Sequence, residues 1–134
     1  MATILAHLTV KPGEEARFEA IARDLYRNTH ALEQGVLRYE YWRGAEPGTY
    51  YTLLSFRDFP TFIVHQTSDH HETASPLLGQ VLAGIRLEWL DPVPDASPLP
   101  PTRSGDVGPE ADDLARTYAK RFAAQIAAWW GGVA

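Results

Sequence analysis

Cysteine is missing from all 134 residues, which removes disulfides, thiolate-bound zinc, iron–sulfur clusters and cysteine nucleophiles at once. No apolar run approaches the roughly 20 residues that a membrane span needs. The opening MATILAHLTVKPGEE lacks the basic segment, long apolar core and small-residue cleavage site of a secretion signal. A cytoplasmic protein with no membrane partner is expected. Basic charge is also sparse: the formal net charge is −5, and the 12 Lys and Arg are scattered singly. Without a basic stripe, nucleic acid is not an expected partner. What the chain does have is a 45% hydrophobic content in one domain's length, enough to bury a single core.

The order of elements follows from periodicity. Ile4, Ala6, Leu8 and Val10 alternate with Thr3, Leu5, His7 and Thr9, which predicts a strand. Phe18, Ile21, Ala22, Leu25 and Tyr26 recur at three and four, predicting a helix with one buried face, and Gly35 stops it. VLRYEYWRG and TYYTLLSFRD flank AEPG as a hairpin; a second helical region follows from about Phe59 to Ala83; GIRLEWLDPV is a last strand ended by Pro92. The order βαββαβ predicts an α+β, ferredoxin-like fold: a four-stranded antiparallel sheet with both helices on one face. Large apolar groups sit on both strand faces, Leu37, Tyr39 and Tyr41 against Val36 and Trp42, and Ile85, Leu87 and Trp89 against Leu90. A face that apolar predicts a homodimer, sheet against sheet.

The domain therefore spans 1–93. A Pro-rich linker covers 94–108. Residues 109–134 are expected as an amphipathic helix, with Leu114, Tyr118, Phe122, Ile126 and Trp130 stepping by four, packed on the domain or on the partner subunit.

The segment FPTFIVHQTSDHHETASPLL puts His65, His70 and His71 within seven residues. Thr67, Ser68 and Asp69 are candidate helix caps, with Glu72 three residues after Asp69, so two short helices are expected to meet near Ser68. A metal reading would draw on His65, Asp69, His70, His71 and Glu72. Zinc-binding histidine pairs usually stand four apart, and neither His70 nor His71 stands so from His65; no metal is expected. A catalytic reading asks for a base that titrates near neutrality in a dry pocket, and His65 ends an apolar run. A hydrogen-bonded core histidine is the plain alternative. His71 is expected to be the exposed member of the three.

The short first strand ending in KPG, then GVLRYEYWR, then YYTLLSFRDFPTFIVHQTSDHH with His65 and His70 five apart, resembles the antibiotic-biosynthesis-monooxygenase-like family of the dimeric α+β barrel superfamily. The resemblance covers about Ala2 to Val93. It implies a homodimer whose sheets form a barrel, with a cavity in each subunit between sheet and helices. Relatives include cofactor-free oxygenases that turn phenolic polyketides or quinols into quinones, and haem-degrading enzymes. The haem degraders rely on an Asn, a Trp and a His at positions aligned here with His7, His65 and Ser75. None of those residue types is kept, which argues against haem.

The resemblance implies a cofactor-independent monooxygenase or oxidase acting with O₂ on a small phenolic, quinol or polyketide-like aromatic. His65 is the candidate base, with His7 second, and the two are expected to face one cavity. Tyr39, Trp42, Tyr51 and Trp89 would stack on or orient the ring, Arg43 would hold an oxyanion, and His70 would line the cavity. The alternative is a non-catalytic binding or assembly module of the same fold.

Overall fold

The computed structural model describes residues 1–132. Strand β1 (Ala2–Val10) leads into helix α1 (Glu15–Leu32), the hairpin β2 (Val36–Arg43) and β3 (Thr49–Phe56), helices α2 (Phe59–Thr67) and α3 (Asp69–Val81), and β4 (Leu82–Trp89). The four strands form one antiparallel sheet in the order β2-β3-β1-β4, the ferredoxin-like α+β arrangement. The alternation in β1 decides the faces: Ile4, Ala6, Leu8 and Val10 lie buried toward the helices, with Phe18, Ile21, Ala22 and Leu25 of α1 over them. Tyr26 departs from the expected buried face and is half exposed, its place in the core taken by Thr29. No described helix is long and apolar enough to cross a membrane.

Asp58 caps α2, its side chain accepting hydrogen bonds from the Thr61 amide at 2.9 Å and the Thr61 hydroxyl at 2.5 Å, with Pro60 in the first turn. Ser68 then ends α2 and begins α3. Its hydroxyl donates to the His65 carbonyl at 2.8 Å and accepts from the His71 amide at 3.3 Å. One residue thus satisfies backbone groups of both helices and fixes the bend between them.

Beyond β4 the chain is irregular but anchored. Thr102, 6% exposed, takes part in hydrogen bonds to Asp91 and to the Leu90 carbonyl, and the Arg103 amide donates to the Met1 carbonyl. Helix α4 (Asp113–Arg121) then lies against α2, where the Phe122 ring meets Phe62 edge-on at 6.1 Å, and the Tyr118 hydroxyl donates to Glu72 of α3 at 2.7 Å. The helix is shorter than the expected 109–134, ending at Arg121. Ala124 packs against the core from irregular backbone and Trp130 from a single 3-10 turn (Trp130–Gly132), while Ile126 is 43% exposed; the last two residues of the expected helix lie outside the described residues. Packing has overridden the helical propensity of this Ala-rich end.

Candidate functional site

Between the sheet and helices α2 and α3 lies a cavity of about 380 Å³. Ile4, Leu8, Phe18, Leu54 and Phe62 give it apolar walls, and Phe122 reaches in from the tail. Tyr39, Tyr41, Thr52, His65, Gln66 and His71 supply its polar groups. The Tyr39 and Tyr41 hydroxyls are 2.7 Å apart. Burial pushes Tyr41 up to about 12 and Tyr39 well above the ordinary phenol value. Both rings therefore stay protonated at neutral pH and can donate a hydrogen bond.

His65, 1% exposed, is packed between Tyr39 and Phe56, its ring centre 4.9 and 5.2 Å from theirs. Its Nδ1 lies 2.9 Å from Glu33 Oε2 and 3.2 Å from Oε1, and His70 Nε2 lies 2.5 Å from the same Oε2. The Glu33 side chain is only 4% exposed and that of His70 10%. Burial alone would raise the Glu33 pKa, but the hydrogen bonds and charges of His65 and His70 outweigh it and hold the carboxyl below its usual value. Among the described residues His65 Nε2 has no hydrogen bond, and the ring borders the cavity.

Local sequence explains how three elements meet there. Glu33 is the C-cap of α1, with extended backbone at φ −108° and ψ 146°. Gly35 follows at φ +76°, a left-handed turn that carries the chain into β2, and a Cβ there would come 2.9 Å from Arg57 Cδ. On one continuous helix, His65 and His70 would point about 140° apart at roughly 100° per residue. The break at Ser68 cancels that divergence, so both imidazoles reach one carboxylate.

His71 corrects an expectation. It was the histidine assigned to solvent, yet it lines the cavity with its ring 4.9 Å from that of His65 and its buried Nδ1 without a partner. Desolvation, then the neighbouring His65, push its pKa down to about 3, so the ring is neutral.

The other sequence candidates fall on both sides of the sheet. Tyr39 shares the cavity with His65, and His70 stands behind His65 on Glu33. Trp89 is buried beside Phe59 and Phe62 as core. His7 does not face the His65 cavity: odd-numbered positions of β1 point away from the helices, and its Nε2 lies 2.9 Å from Glu88 on the outer face, beside Tyr51. Trp42, 57% exposed, is on that outer face, paired across the strands with Tyr51. Arg43 binds a carboxylate already, Glu19, at 2.6 and 2.9 Å, beside a separate groove at the α1 side of β2. Glu33, Tyr41 and Gln66 were not foreseen. For Glu33 the only local signal was a carboxylate two residues before the stop glycine.

Residues 1–76 match the family model described as antibiotic biosynthesis monooxygenase. A Caulobacter crescentus protein, provisionally described as an antibiotic biosynthesis monooxygenase, is 31% identical, with 69% of this chain and 89% of that one aligned and a TM-score of 0.65. PA3566 from Pseudomonas aeruginosa (22% identity, 69% and 93% covered, TM-score 0.64) and Rv0793 from Mycobacterium tuberculosis (20%, 72% and 98%, 0.65) share the fold. No curated protein matches the chain.

Proposed function

The chain belongs to the antibiotic biosynthesis monooxygenase family, and on that premise we propose that it is a cofactor-independent monooxygenase or oxidase of a small phenolic, quinol or polyketide-like aromatic, with His65 as base. The observation that carries this reading is a buried carboxylate on Nδ1 of an imidazole that itself lines a largely apolar cavity. Glu33 keeps the proton on His65 Nδ1 and fixes the ring, which leaves Nε2 as the acceptor. A cavity of about 380 Å³ suits a compact ring system. The Tyr39 and Tyr41 pair and the neutral, unpartnered His71 give a substrate oxygen places to bond.

In the proposed reaction His65 Nε2 takes a proton from the activated ring position, and the resulting anion passes an electron to O₂. Recombination forms a carbon-bound peroxide anion, which takes back the proton held on His65 Nε2. The hydroperoxide then loses water, which carries off the second hydrogen of the same carbon, leaving one oxygen atom as a carbonyl in the product and His65 neutral again. Water exclusion and orientation are the protein's contribution. We assign the protein to the cytoplasm and to a homodimer, with Leu5, Leu53, Tyr51 and Trp42 of the outer sheet face against a second copy; Trp42 and its neighbours on that face are rimmed by Arg38, Glu40, Arg86 and Glu88.

Oxygen uptake by metal-stripped protein against a panel of anthrones and dihydroxy-aromatics tests the reading, with heat-denatured protein as control. Uptake that falls about 10²- to 10⁴-fold in His65→Ala, the range of a lost general base, supports it. A ligand that binds and returns chemically unchanged after aerobic incubation would replace the reaction with simple binding.

A further inference from the structure

We infer that Glu33, His65 and His70 form a binding site for a divalent transition-metal ion of the zinc class, set behind the cavity. Their donor atoms all lie within 4.8 Å of one another, and each comes from a different element, the end of α1, α2 and α3. Two imidazole nitrogens and one carboxylate oxygen are the donor set that zinc and its neighbours take, with water completing the shell.

The spacing is close to what an ion requires. Bonds of about 2.0–2.2 Å in a tetrahedron hold donor atoms about 3.3 Å apart. Glu33 Oε2 already stands 2.9 Å from His65 Nδ1 and 2.5 Å from His70 Nε2. Each nitrogen has to recede from that oxygen by less than about 1 Å, and the two nitrogens, no more than 4.8 Å apart, have to stand about 3.3 Å from each other. Both nitrogens point at the carboxylate, and on binding each gives up its hydrogen, either to the ring's other nitrogen or to solvent. The carboxylate itself is buried, so a cation there is screened little by water.

The location separates this site from the substrate. Neither Glu33 nor His70 borders the cavity, and His65 turns its Nδ1 edge to the triad. An ion bound there faces away from the reacting molecule. One consequence rests on the proposed reaction: a metal on Nδ1 drives the ring proton to Nε2, and His65 can no longer accept one. The ion and the reaction exclude each other.

The test is equilibrium dialysis of the metal-free full chain against Zn²⁺ with elemental analysis, and visible absorption with Co²⁺ as a probe of the ligand set. One ion per chain is expected, with affinity at least about 10-fold weaker in Glu33→Gln and in His70→Asn, the loss that even an outer-shell partner causes. The His7→Ala variant removes the other histidine–glutamate pair and is expected to bind as the parent does. Absence of a stoichiometric ion, or an ion kept unchanged by Glu33→Gln and His70→Asn, overturns the site; if Glu33→Gln does not fold, His70→Asn decides alone. Zinc binding without oxygen uptake by the metal-free protein leaves the site standing and removes the reaction. Uptake without zinc binding does the reverse.

Discussion

Two histidine–glutamate contacts of the same length sit on opposite faces of one sheet. His7 Nε2 meets Glu88 Oε1 at 2.9 Å on the outer face, with side chains 28% and 46% exposed. His65 Nδ1 meets Glu33 Oε2 at 2.9 Å on the inner face, with side chains 1% and 4% exposed. Distance does not separate them; water does. In the outer pair solvent can replace either partner, and a pair of this kind contributes about 0–1 kcal/mol. The inner carboxylate has no such substitute, so its two imidazoles are what make its burial tolerable.

The largest expected effect breaks the inner contact. Glu33→Ala removes the acceptor shared by His65 and His70 and is expected to cost about 3–5 kcal/mol, read from urea unfolding with an unchanged m-value. A loss below about 1 kcal/mol would mean that the inner contact behaves as the outer one does.

A pH series sharpens the comparison. Burial, with His65 beside it, pushes the His71 pKa from its ordinary 6.5 down to about 3, so the folded ring is neutral. Its contribution to stability is complete above about pH 6.5 and is lost as pH falls toward 3. Glu33, also depressed, adds a loss of the same sign that begins only below its own unfolded value of 4.5. Between pH 6.5 and 4.5, then, the slope belongs largely to His71, at up to about 1.4 kcal/mol per pH unit, and His71→Gln is expected to flatten it. An unaltered slope would place that titration elsewhere.

The smallest effect is expected outside. His7→Ala and Glu88→Ala are each expected to stay within about 0.5 kcal/mol of the parent, and His7→Ala to leave oxygen uptake unchanged. A large loss of uptake in His7→Ala would bring the outer face into the chemistry.

Much of this contrast was hidden in the sequence for a specific reason. Strand periodicity assigned His7 to one set of β1 residues and Ile4, Ala6 and Leu8 to the other, but it could not say which set the helices cover. Aligned positions suggested that His7 and His65 share a cavity, and the register of β1 against β3 and β4 sets them on opposite faces. For the histidine segment, the capping residues correctly announced a break near Ser68. They did not give the bend, and without it His71 was assigned to solvent.

By itself the sequence determined the order βαββαβ, the alternation within β1 and the helix break, because each rests on spacing within a few residues of chain, and its quoted segments carried the resemblance to the family. Tertiary structure alone decided the rest. It carried the end of α1, at Glu33, to a place 32 residues away at His65 and 37 away at His70, and it closed the cavity with Phe122 from beyond the linker. Contacts across such separations depend on how helices lie on the sheet, and local periodicity carries no record of that.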